Sequence, residues 1–295
     1  MTKLSIIFFA LFSSLLSFGQ LGLSERYQYN YLGINPAFAG ENSAFGIKAV
    51  TDNQLLGLQL NKSSQILVLD GQLYKQTGLA FQGYRVSEGA IINSGFNLAY
   101  SKGFEINEFK CKLGVGTGIF IQPNILGLTL GNRTSFHGGA GLFSSYKSFY
   151  FGASVPVLIA SKSYFEPKVS YSTIGYLRDI IEEEFKLNVN ILAKNYNQKQ
   201  FYDFNSRVIL KDRLSLGFSF RQNLPELSPK ATSFYPFAAY KFSKSMTIGL
   251  GYNPRSFQIS SPQQAGSLGP TGSIQVYLKF LNVADDDQSW YGSLF

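Results

Sequence analysis

The chain is poor in the residues that most often carry chemistry. Its 295 residues hold one cysteine, one histidine and one tryptophan. A lone Cys111 excludes an internal disulfide, the usual staple of exported soluble domains, and reads as an apolar lipid-facing or core residue. His137 has no second histidine beside it, and no His/Cys cluster shows metal-ligand spacing. A nucleophilic site built on His137 and Ser135 lacks a nucleophile elbow. His137 therefore reads as a hydrogen-bonding residue where a loop re-enters a strand. In "GVGTGIF" (residues 114–120) the glycines alternate strictly and no helix follows, which excludes a dinucleotide loop. Asp285, Asp286 and Asp287 lack the spacing of a calcium loop and read as a solvated tail. No catalytic residue, metal or cofactor is expected.

Charge is also scarce. Charged residues make up 15%, against about 25% in soluble domains. The net charge of +8 is spread along the chain without a basic run. That excludes a nucleic-acid footprint and leaves a modest attraction to acidic lipid or partner surfaces. Long apolar runs are missing beyond Gln20, where nothing approaches the ~18 residues of a membrane-spanning helix. The exception is the beginning, "MTKLSIIFFALFSSLLSFGQ". Lys3 precedes a short apolar stretch, and Ser17 and Gly19 place small residues before Gln20, so residues 1–19 are expected to be a signal peptide.

Aromatics and glycine are abundant instead. There are 27 Phe, 18 Tyr and 29 Gly. Their arrangement has a period of two, the mark of strands. Phe109, Cys111, Leu113, Val115, Ile119 and Ile121 share one face, opposite Lys110, Lys112, Gly114, Gly116 and Gly118. Phe185, Leu187, Val189 and Ile191 alternate with Lys186, Asn188 and Asn190. Tyr202, Phe204, Val208 and Leu210 oppose Asp203, Asn205, Arg207 and Lys211. A sandwich would show the same alternation, but the joins discriminate: short and long ones take turns along the chain, as in outer-membrane barrels. The expected fold is all-β, a transmembrane up-and-down antiparallel β-barrel over residues 44–280. It has about fourteen strands; twelve or sixteen fit the same rhythm. Closure pairs Phe45, Ile47 and Ala49 with Ile274, Val276, Leu278 and Phe280. An even count puts both termini on the periplasmic side of a bacterial outer membrane, with residues 281–295 as a periplasmic tail.

Ahead of the first strand lies a segment that is neither helix nor strand. Residues 20–43 carry Tyr27, Tyr29, Tyr31, Ile34 and Phe38, all in need of burial, yet Pro36 and the glycines break regular structure. Irregular backbone at membrane depth is tolerated where protein surrounds it. The glycine-bearing strand faces leave room inside the barrel, so this segment is expected to plug or line the lumen.

Within it, "QYNYLGINPAFAG" (residues 28–40) resembles the N-terminal signature of the PorP/SprF proteins of the type IX secretion system, through Tyr31, Asn35, Pro36, Ala37, Phe38, Ala39 and Gly40. Long-chain fatty-acid channels also have an Asn-Pro-Ala near the N-terminus, but behind a longer plug. The resemblance implies a Bacteroidota outer-membrane protein of secretion and gliding motility. Its implied partners are a secreted adhesin or the adhesin's C-terminal domain, other type IX secretion components, and outer-membrane lipid. The tail after Phe280 departs from the family, whose chains end at the last strand.

Two functions remain open from the residues: a non-catalytic scaffold for a secreted protein, and a channel or transporter for a small, apolar solute. The long joins favour the scaffold. Residues 53–63, 122–137 and 254–270 offer Leu55, Leu56, Leu58, Ile125, Leu126, Leu128 and Phe257 as an apolar partner surface with few charges. Lys62, Arg133 and Arg255 would form a basic rim that steers an acidic partner.

Overall fold

The computed structural model describes residues 27–41, 45–54, 62–88, 91–123, 132–161, 169–181, 184–196, 199–223, 233–253 and 273–282. Their alternating patterns fold as fourteen strands: β1 (Gly46–Gln54), β2 (Lys62–Tyr74), β3 (Thr77–Glu88), β4 (Ile91–Ile106), β5 (Phe109–Pro123), β6 (Asn132–Tyr146) and β7 (Phe149–Ala160), then β8 (Val169–Ile181), β9 (Phe185–Tyr196), β10 (Lys199–Leu210), β11 (Leu214–Asn223), β12 (Ser233–Lys241), β13 (Met246–Asn253) and β14 (Ser273–Leu281). Each strand pairs antiparallel with its neighbours in sequence, and the ring is closed. Closure runs through Ile47↔Phe280, Ala49↔Leu278 and Thr51↔Val276. A closed ring has no edge strand, so hydrogen bonding between strands can satisfy the backbone in hydrocarbon.

The period of two becomes an inside and an outside. On β5, Leu113 and Val115 are 51% and 58% exposed, while Lys112 between strand neighbours is 1% exposed. On β9 and β10, Ile191, Tyr202 and Phe204 face out, while Asn188, Asn190, Asp203 and Asn205 are buried inside. An apolar outer face and a polar interior match a bilayer around the barrel. Leu113→Arg should therefore cost about 2–4 kcal/mol if it sits near the bilayer midplane. Urea unfolding in liposomes, followed by the heat-dependent shift in gel mobility, measures that loss.

The joins are of two kinds. Residues 75–76, 107–108 and 147–148 are two-residue turns, with Gln76, Asn107 and Lys147 at positive φ, as tight hairpins require. The joins at the other end lie mostly outside the described residues. The largest boundary difference from the sequence reading is in β6. β6 begins at Asn132 rather than at 138, because residues 132–137 pair with Gly118 through Pro123 on β5. The polar run from Asn132 to Ser135 reads as loop, but its pairing with β5 makes it strand. Arg133 and His137 consequently lie in the wall and not in a loop. Residues 1–26 and 283–295, with the expected signal peptide and most of the tail, lie outside the described residues.

Candidate functional site

Residues 27–41 are mostly buried and hydrogen-bond to residues on several strands. They form short 3-10 turns, including Tyr31–Gly33 and Pro36–Phe38. Nothing in the segment is long enough to satisfy its own backbone, so its polar groups turn to the wall.

The bonds reach strands all round the ring. The Tyr27 hydroxyl accepts from Asn205 Nδ2 on β10 at 2.6 Å, and Arg207 donates to the Gln28 carbonyl at 3.2 Å. The Tyr29 hydroxyl meets the carbonyls of Ala238 on β12 and Leu250 on β13, at 3.1 and 3.0 Å. Its ring stacks on Tyr277 of β14, with centroids 4.6 Å apart. Asn30 donates to Gln82 on β3, and Ser154 on β7 donates to the Ile34 carbonyl at 2.6 Å. Burial pushes the Tyr31 hydroxyl up to about 12, with Arg207 opposing the shift. Tyr27 and Tyr29 are raised for the same reason, so all three stay neutral.

The six residues from Asn35 to Gly40 each have a physical task. Asn35 caps the second turn: its Oδ1 accepts from the Ala37 amide at 2.9 Å, and its Nδ2 donates to the Leu142 carbonyl of β6 at 3.0 Å. Pro36 occupies the first position of the turn, where its missing N–H costs nothing. Ala37 lies against Gly114 of β5, where a Cβ would collide with the Pro36–Ala37 peptide. Phe38 packs on Phe143 and Tyr31, at 5.0 and 5.3 Å between centroids. The Ala39 carbonyl accepts from Ser101 Oγ at 2.7 Å and Lys112 Nζ at 2.5 Å. Gly40 has φ +66° and lies against the backbone of Gly78, a contact and a conformation that both favour glycine.

An ionic latch follows. The Gly40 amide donates to Asp70 Oδ1, and Lys48 Nζ lies 2.5 Å from Glu41 Oε2 with both side chains buried. Burial alone would raise the Glu41 carboxyl. Lys48, joined by Lys279 and Lys112, outweighs it and holds the carboxyl below its ordinary value. With the folded value below the unfolded one, ionised Glu41 stabilises the segment above the ordinary carboxylate range. That contribution is lost as pH falls through the folded value. Amide protection of residues 39–41 should therefore hold at neutral pH and weaken below about pH 4. Glu41→Gln should already show weakened protection at neutral pH, since it leaves buried Lys48 without its partner charge. Hydrogen exchange measures both.

Of the expected partner-binding residues, Lys62 and Arg133 are among those described. Leu55, Leu56, Leu58, Ile125, Leu126, Leu128, Arg255 and Phe257 lie outside the described residues. Lys62 is the first residue of β2. Arg133 stands in β6, paired with Gln122, because the wall there is taller than the sequence pattern suggests. His137 Nε2 is 3.0 Å from Asn97 Oδ1 on the inner wall. Among the described residues no cluster of His, Cys, Asp and Glu has the geometry of a metal site. Sequence reasoning missed Asn205, Ser101, Ser154 and Asp70 as holders of the segment. Their only local signal is a polar residue on the inward face of an alternating strand.

The chain has counterparts among known proteins. The family model of the type IX secretion system membrane protein PorP/SprF matches residues 17–268. Among solved structures, the outer membrane protein Omp33 of Acinetobacter baumannii is similar over 82% of this chain and 99% of its own. The identity is 9% and the TM-score 0.52. The CymD monoaromatic hydrocarbon channel is similar over 85% of this chain and 91% of its own, at 10% identity and a TM-score of 0.51. At such identities the likeness speaks for the fold alone, that of an outer-membrane β-barrel. No curated protein matches the chain in sequence. The chain belongs to the PorP/SprF family.

Proposed function

We propose that this PorP/SprF barrel serves type IX secretion as a non-catalytic outer-membrane scaffold. It supports export of a large secreted protein, such as a gliding adhesin, or holds that protein's C-terminal domain at the cell surface. Residues 27–41 act as a fixed plug. The short turns and both termini face the periplasm, where other secretion components would meet the barrel, and the longer joins face outward. The observation that carries this reading is the attachment of residues 27–41 to opposite sides of the inner wall. A lumen filled by fixed chain is suited to a scaffold and poorly suited to steady solute flow. Family membership supplies the process.

The test is a gentle detergent extraction of the tagged protein, followed by quantitative mass spectrometry against an untagged strain. Enrichment of type IX components and of one large secreted protein supports the scaffold. If neither is enriched while uptake of a small apolar solute depends on the barrel, the channel reading replaces it.

A further inference from the structure

A row of lysines lines the inner wall at the end of the barrel where the two-residue turns lie. Lys48 on β1 is the direct partner of Lys279 on β14. Lys279 also pairs with Thr247 on β13, and Thr247 with Lys241 on β12. The alternation of each strand turns this row inward. Lys48 shares a face with buried Val50 and Asp52, Lys279 with buried Gln275 and Tyr277, and Lys241 with buried Tyr235 and Phe237. Neighbouring strands stand ~4.8 Å apart, so the three lysines fall within ~15 Å along the wall.

Their charge is only partly met. Lys48 holds Glu41, and Lys112 Nζ donates to the Ala39 and Gly40 carbonyls. Lys48 and Lys241 repel Lys279, while Glu41 and Asp70 attract it. Lys112 faces the same two carboxylates. Four lysines therefore surround two carboxylates, an excess of two positive charges. Among the described residues, the side chains of Lys241 and Lys279 have no hydrogen bond or ion pair. Exposed Lys211, Arg213 and Lys244 in the adjoining turns add the same sign, and Asp212 beside them is taken by Lys186 at 2.9 Å. Like charges directly across a ladder destabilise it, more so where both are partly withdrawn from water.

The chain carries the missing charge next to the row. β14 ends at Leu281, and the Asn282 amide donates to the Phe45 carbonyl at 2.9 Å. The chain thus leaves the wall between β14 and β1, beside Lys279 and Lys48. Asp285, Asp286 and Asp287 follow. At up to ~3.5 Å per residue they reach ~10–17 Å beyond Asn282, enough to turn back onto Lys279 and Lys241.

We propose that Asp285, Asp286 and Asp287 dock on Lys241 and Lys279, so that the C-terminal tail clasps the mouth of the barrel next to the latch of Glu41 and Lys48. The sequence pattern alone reads these aspartates as a solvated tail; the lysine row gives them a partner. The proposal does not depend on the scaffold reading. A separate acidic protein would meet the same lysines, but it pays the cost of association. The tethered tail acts at an effective concentration in the millimolar range.

The chain has a single tryptophan, Trp290, three residues beyond Asp287, so the tail reports on itself. The experiment measures acrylamide quenching of Trp290 in the full chain, purified and folded in detergent, with heat-dependent gel mobility as the check on folding. Lys241→Gln with Lys279→Gln should raise quenching several-fold. Asp285→Asn, Asp286→Asn and Asp287→Asn together should raise it equally, and all five changes combined should add nothing more, as for groups that act on each other. A second measurement places Thr247→Cys and Gln288→Cys in a Cys111→Ala background and bridges them with a short bis-maleimide. The bridge within one chain should form several-fold less once the three aspartates are Asn. Equal quenching in the intact and altered chains, or bridging indifferent to the aspartates, overturns the clasp. So do adducts, from a photoreactive residue at Thr247 in intact cells, with another protein in place of the tail; these would give the lysine row to an acidic partner.

Discussion

Removal of residues 27–41 is expected to make the barrel conduct ions in planar bilayers, where the intact protein passes little current. The segment buries Tyr27, Tyr29, Tyr31, Ile34 and Phe38, each worth ~1.5–3 kcal/mol of apolar burial, and no other described residues take its place. The deletion should therefore also lower the temperature at which the barrel loses its compact gel mobility. Gly114→Leu is the subtler form of the same experiment. Its side chain would have to enter the space of the Pro36–Ala37 peptide, so the segment must shift while the outer face of β5 is untouched. Conductance should rise in that variant with little change in membrane insertion. If current and stability are both unchanged in the deletion, residues 27–41 do not close the lumen.

The second large effect is expected in the long joins. Leu55→Ser, Leu56→Asn and Leu126→Ser together should leave insertion and heat-dependent mobility normal, since none of the fourteen described strands includes them. Retention of the secreted surface protein should drop, because interface cores depend on a few apolar anchors. The check is the fraction of that protein found in the culture medium. Normal retention in the triple variant would place the docking surface elsewhere.

The wall was legible in the sequence because a barrel strand reports its own surroundings. Leu113 beside Lys112 and Gly114, or Phe204 between Asp203 and Asn205, states locally which face meets lipid. The closure of β1 on β14 followed from the even strand count and from apolar residues at matching positions. β6 was misjudged at its start because Asn132, Arg133, Thr134, Ser135 and His137 are polar on both faces and read as loop; only the partner strand β5 shows that they pair. The interior segment was half legible. Its aromatics and its Asn-Pro-Ala signature signal burial, but Gly78, Ser101 and Gly114 lie far away in sequence. The register of an irregular segment against a curved wall has no period to read.

The most direct test of the scaffold reading is the distribution of large surface proteins between cells and medium in a strain that lacks this chain. The reading predicts that one such protein leaves the surface, appearing in the medium or remaining trapped inside, and that the intact gene restores it. Unchanged display and secretion of every surface protein, with loss of uptake of a small solute, would contradict it.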